Sequence, residues 1–75
     1  MPYYQISIAD VRSVTFCEQH ANIEVARDAT IQKALLRMLD EPAPKNPQTA
    51  TCNVVEKETL EERSFKVSLS VVDLI

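Results

Sequence analysis

Glycine is absent from the 75 residues, and so is tryptophan. Loops that cradle phosphates and dinucleotide fingerprints need close backbone approach or positive φ at set positions, so the missing glycine excludes both. Tight primed hairpin turns must use asparagine or aspartate instead, or give way to longer connections. Cysteine is scarce: Cys17 and Cys52 are the only two, too few for a disulfide framework, and both are expected as reduced, buried thiols. No apolar run reaches membrane-spanning length. The opening Met-Pro-Tyr-Tyr-Gln lacks the basic and apolar regions of an export signal, which leads us to expect a cytoplasmic protein. Neither sign of charge dominates. Eleven acidic and eight basic residues give a net charge of −3, which neither attracts a phosphate backbone nor imitates one.

What is present describes an ordinary globular balance, 45% apolar and 25% charged. Residues 1–75 fit one domain with one core. A core this small gains little over the conformational entropy of folding, and such domains often add disulfides, a metal or an oligomeric interface. With two cysteines and no evident metal motif, an interface is the remaining device.

Alternation of Tyr4, Ile6 and Ile8 with Gln5 and Ser7 predicts a first strand. Val14 and Phe16 alternate likewise, and after Gln19–Asn22 the pair Ile23 and Val25 resumes the period, predicting a hairpin centred near His20. A competing reading of residues 7–20 takes Ser7 and Asp10 as a capping box that starts a helix through Val11 and Val14; the β-branched and aromatic run Val14-Thr15-Phe16 argues against it. Asp28 reads as the N-cap of a helix whose stripe is Ile31, Leu35, Met38 and Leu39, ended by Pro42. Residues 41–48, with Pro44 and Pro47, read as a loop. A strand over Thr51–Glu56 follows, then a helical turn about Thr59 and Glu62, then a last strand with Phe65, Val67, Leu69 and Val71 in one apolar row. The expected fold is α+β, a small mostly antiparallel sheet of four to five strands with one helix on one face, in the approximate order ββ(β)αββ. The helix is expected to meet Tyr4, Ile6, Phe16, Val25, Phe65, Val67 and Leu69.

Chemistry-bearing residues are few. Cys17 and His20 stand three apart with Cys52 elsewhere, but zinc would want a fourth ligand, so no metal is expected; no cofactor motif is present either. Met1-Pro2 opening a strand, with Ile6 to Ile8 after it and a basic residue at Arg12-Ser13, resembles the tautomerase superfamily. The resemblance implies a proton-transfer enzyme in which a processed Pro2 serves as base, assisted by Arg12, and it stands as the alternative function. Arg12, Arg27, Lys33 and Arg37 offer a second alternative, a weak nucleic-acid-binding regulator, although acids dilute the patch and no aromatic series accompanies it.

Exposed apolar surface carries the preferred reading. Leu36 falls off the helix stripe, and Val71, Val72, Leu74 and Ile75 place apolar side chains on both faces of an extended segment. Such a segment is central in its sheet, covered by the proline loop, or paired with another chain. The expectation is a non-enzymatic protein-protein interaction module, a small regulator, inhibitor or accessory factor that forms a homo-oligomer, in the simplest case a dimer, or docks on another protein through Leu36, Val71, Val72, Leu74 and Ile75.

Overall fold

The computed structural model describes residues 1–10, 12–41 and 48–75; Val11 and the proline loop with Pro42, Pro44 and Pro47 lie outside the described residues. The element order is β1 (Tyr3–Ala9), β2 (Ser13–Gln19), α1 (Ile23–Leu39), β3 (Gln48–Glu56) and β4 (Glu62–Leu69). All neighbours pair antiparallel in the spatial order β2-β1-β3-β4, so α1 crosses from one edge over β1 to β3. This is the small α+β domain expected, with four strands and the helix packed on one face. None of the described helices is long and apolar enough to cross a membrane.

The pleat divides each strand between two environments. Tyr4, Ile6 and Ile8 of β1 and Ala50, Cys52 and Val54 of β3 are buried beneath α1, with Val14, Phe16, Phe65 and Leu69 of the edge strands partly buried around them. Completely covering Ile6 and Ile8 stabilises the fold by roughly 1.5–3 kcal/mol each, before the entropy of ordering them is subtracted. The opposite face is open and polar. Ser7 and Thr15 share a hydrogen bond of 3.3 Å, as do Thr49 and Ser68, and Asn53 donates to Ser64 at 2.7 Å.

The helix starts six residues earlier than the sequence suggests, and Ile23–Arg27 are helical rather than a strand. Asn22, not Asp28, is the N-cap: its side-chain oxygen accepts the Val25 N–H at 2.9 Å, satisfying one of the donors a helix start leaves unpaired. Ile23 and Val25 mimic a strand because their spacing of two is ambiguous over so short a window. Ile23 and Ala26, three apart, are the pair that the helix buries, while Val25 faces outward and does not join the core.

The buried face of α1 is Ile23, Ala26, Thr30, Ala34 and Met38, so three small side chains let the helix backbone approach the sheet closely. The Thr30 hydroxyl donates to the Ala26 carbonyl at 2.8 Å and enters the core without an unmet hydrogen bond. Of the predicted stripe only Met38 is fully buried; Ile31 and Leu35 are half-buried, and Leu39 is 67% exposed. The helix ends at Leu39 with Asp40 as C-cap, whose N–H donates to Leu36 O at 3.1 Å.

Two strand boundaries also move. β3 begins at Gln48, so the predicted loop gives up its last residue and the strand starts three residues before Thr51. β4 ends at Leu69, so Val71 does not complete its apolar row. The connection between β3 and β4 holds a single turn over residues 57–59, placed before the expected Thr59–Glu62 span because Glu62 already belongs to β4. Glu56 N–H donates to Glu61 O, and Leu60 N–H returns to Glu56 O. With no glycine available, Leu60 itself takes the left-handed conformation, φ 63°.

Candidate functional site

The two edges of the sheet are finished differently. Along the β2 edge, helix cations are drawn over the strand. Lys33 Nζ lies 4.5 Å from the centre of the Phe16 ring and donates to Glu18, whose other oxygen sits 3.0 Å from His20 Nε2. The Lys33 ammonium, then the His20 hydrogen bond, hold the Glu18 carboxyl below its usual range. At the far end of β1, Asp10 accepts the Arg12 N–H at 2.9 Å and two guanidinium bonds from Arg37 at 3.2 and 3.3 Å. Those bonds, the Arg12 N–H foremost, lower the Asp10 pKa even against its desolvation. A border of paired charges is one way that native sheets keep an edge from recruiting another strand.

The β4 edge is apolar on its helix side from Phe65 to Leu69. Arg27 covers Phe65 with its guanidinium carbon 5.2 Å from the ring centre, which fixes the helix flank that faces β4. Residues four apart on a helix advance by about 40° around the axis, so Ile31, Leu35 and Leu39 continue the ridge from Arg27 outward along that flank. Burial falls along it, from half-buried Ile31 and Leu35 to exposed Leu39. Below the ridge lie Phe65, Val67 and Leu69 on the helix side of β4. Beyond Leu69 the chain leaves the strand, with Val71, Val72, Leu74 and Ile75 all exposed. On the helix side charge returns near the start of β4, where Arg63 contacts Glu24 at 3.4 Å and Glu61 at 3.7 Å, while Lys66 lies on the open face and Asp73 among the exposed residues beyond the strand.

Leu36 is 66% exposed on the outward helix face. It lies at the same end of the domain as residues 71–75, because Leu69 pairs with Gln48, Thr51 pairs with Ala9, and the neighbouring Asp10 holds Arg37 of the last helical turn. The interaction residues named from sequence thus share one end of the molecule. Leu39, expected on the buried helix stripe, is exposed at the same end.

Pro2 and Arg12 flank opposite ends of β1, whose seven residues span about 23 Å, so one chain does not bring them together. Pro2 borders a shallow cleft with Tyr4, Asn22, Glu56 and Thr59, and its carbonyl accepts the His20 N–H at 3.2 Å. The Glu56 carboxylate in that cleft is occupied with the turn: it accepts the Thr59 hydroxyl and the N–H groups of Thr59 and Glu58, bonds that lower its pKa. Burial, then the nearby Glu56, raises the Tyr4 pKa. Arg12 borders a different cleft with Asp10, Arg37, Asp40 and Glu41.

The basic residues do not converge either. Arg27 lies on the β4 flank, Lys33 and Arg37 on the other, and each reaches a carboxylate of the same chain. Cys17 is exposed rather than buried as expected, because it falls on the open face opposite Gln5, whereas Cys52 is buried on the helix face opposite Ile8, so the two thiols are free and separated by the sheet. Burial pushes the Cys52 thiol pKa up. His20 turns to Glu18 on the helix side, away from Cys17, and among the described residues no group of three metal-ligating side chains forms. No protein-family model matches the chain, and neither a curated protein nor a solved structure does.

Proposed function

We propose that this protein is a non-enzymatic protein-interaction module that works by docking its β4 edge, together with Leu36, Leu39 and residues 71–75, on a protein surface, a second copy of itself being the first partner. One observation supports this above the others: the helix side of the two edges differs, with the Lys33–Glu18 pair drawn over β2, and Ile31, Leu35 and exposed Leu39 bordering Phe65, Val67 and Leu69 at β4, beyond which Val71, Val72, Leu74 and Ile75 are exposed. An edge of unpaired backbone groups beside apolar side chains is the surface that strand addition uses. A small regulator, inhibitor or accessory factor needs no more than such a surface. Two free thiols accord with a reducing, cytoplasmic setting.

The proton-transfer alternative loses its support in one chain because Pro2 and Arg12 are a strand length apart. Nucleic-acid binding is disfavoured by the internal pairing of Arg27, Lys33 and Arg37.

Sedimentation velocity across the micromolar to millimolar range tests the module reading. The expected result is a concentration-dependent rise in mass that Leu74→Asp reduces. A chain that stays monomeric throughout and also yields no stoichiometric complex from native lysate would falsify it.

A further inference from the structure

The cleft at the start of α1 has no part in docking, and we infer that it binds a primary ammonium group carried on a short alkyl chain. It lies at the other end of the domain, since Tyr4 pairs with Glu56 near the start of the helix, whereas Leu36 and residues 71–75 lie toward Ala9 and Thr51. The ammonium site therefore stands or falls independently of the docking reading.

Tyr4 sets this cleft apart from an ordinary acidic patch. The residue is 2% exposed and lines the cleft, yet among the described residues its hydroxyl neither gives nor receives a hydrogen bond. Among those residues no fully buried side-chain nitrogen or oxygen is left unpaired, so the hydroxyl is the atom at which Tyr4 meets the cleft. Its ring belongs to the core and stands 6.1 Å from the His20 ring, tilted at 52°. A phenylalanine would fill the same space with no polar atom to satisfy, so core packing does not call for the oxygen.

The surrounding charge selects the ligand. Glu56, Glu58 and Glu61 line the cleft, and among the described residues no cationic side chain does. The helix start contributes about half a positive charge, which Glu24 in the first turn already opposes. Three carboxylates outweigh that remainder, so a cation is drawn in and an anion repelled. Burial, then Glu56 and Glu61, raises the Tyr4 pKa, so the phenol keeps its proton and offers its oxygen lone pairs to a donor.

An ammonium fits this set better than a metal ion. Both Glu56 oxygens already accept bonds from Glu58 and Thr59, and among the described residues no group of three metal-ligating side chains forms. An ammonium donates instead to the Tyr4 hydroxyl and to Glu61, whose side chain is 52% exposed, with the Glu56 charge behind them. Pro2 and Ile23 supply an apolar wall, and the cleft, about 350 Å³, has room for the alkyl chain.

NMR titration of the isotope-labelled full chain with butylammonium chloride tests the site, and sodium butyrate is the anion of matching length. Butylammonium should shift the amides of Ile23, Thr59 and Glu61 saturably in the millimolar range, and butyrate should not. Tyr4→Phe should weaken binding about tenfold. Glu61→Gln should weaken it about threefold, because a half-exposed carboxylate is screened. Asp40→Asn removes the same charge at the far end of the 17-residue helix, about 26 Å away, and should leave binding unchanged. Tyr4→Phe should also leave the urea midpoint level or raise it, since its hydroxyl has no bond to lose. A lowered midpoint would mean that the hydroxyl is bonded within the fold and overturns the inference. Saturable butyrate binding, no saturable butylammonium binding, or equal weakening by Asp40→Asn overturns it as well. None of these results bears on association through β4, which sedimentation reads separately.

Discussion

Replacing Asn22 with alanine removes the oxygen that accepts the Val25 N–H at 2.9 Å. The Val25 N–H is then left without its side-chain acceptor, because Asn22 is the residue that caps α1. Loss of an N-cap of this type costs about 1 kcal/mol, within a range of roughly 0.5–2 kcal/mol. For 75 residues the unfolding entropy is about 0.16 kcal/mol per kelvin, so the midpoint should fall by about 6 °C. Asp28→Ala is the control that gives the experiment its force. Asp28 is mid-helix, its side chain is 70% exposed, and its contact is Arg27 at 3.5 Å. Alanine's better helix propensity and the lost exposed ion pair nearly offset, so the change should stay within about 0.5 kcal/mol. Urea unfolding followed by circular dichroism, at one fixed protein concentration because association adds apparent stability, measures both. A neutral Asn22→Ala beside a damaging Asp28→Ala would refute the helix start and everything built on residues 23–27.

Leu60 is 70% exposed and holds φ 63°, a conformation that costs a bulky residue about 1–2 kcal/mol. Leu60→Asn, which tolerates that geometry and loses little packing, should stabilise the fold by about 1 kcal/mol in the same urea assay; a loss of stability would contradict the strained turn. The acid limb of stability should reflect Asp10, Glu18 and Glu56, all with carboxyl pKa values lowered in the fold. A depressed folded-state pKa contributes stability that is whole above the unfolded value near ~4 and disappears as pH falls through the folded one. Urea midpoints should therefore be flat down to about pH 5 and drop below about pH 4, with a shallower drop in Asp10→Asn; a midpoint that rises on acidification would oppose the assignment.

Most of the sheet was legible because alternation reports it directly. Tyr4, Ile6 and Ile8, and later Phe65, Val67 and Leu69, mark faces that the structure does bury or half-bury. Boundaries were less legible where two signals overlap. Ile23 and Val25 satisfy a strand period, while Asn22 followed by Glu24 satisfies a helix start, and the cap prevails once Ile23 and Ala26 can share a buried face. Asp28 invited a later start because a short polar side chain before an apolar stripe is the usual cap signal, yet it is exposed in the helix interior. The start of β3 was hidden by its composition: Gln48 and Ala50 are buried but carry little hydropathy. Clustering of Leu36 with residues 71–75 depended on which strands neighbour each other, and alternation is silent about strand order.

The helix stripe shows how one periodicity can report two burial events. Hydropathy favours large side chains, so the residues that stand out in the sequence are Ile31, Leu35, Met38 and Leu39. The helix centre instead presses Ala26, Thr30 and Ala34 against the sheet, where small size permits close approach and a hydropathy count sees almost nothing. A helix that had only its own sheet to cover would carry its bulk at 30 and 34 and polar residues at 31, 35 and 39. This one reverses that order, with threonine and alanine beneath and isoleucine and leucine displaced to the flank above β4. The opposite flank carries Lys33 and Arg37, each tied to a carboxylate. Core packing alone gives no reason for that asymmetry, since both flanks border an edge strand of similar length. Under the proposed docking, a strand laid against β4 would give one, because it would meet the apolar overhang of Ile31, Leu35 and Leu39 that continues from Arg27 on that side.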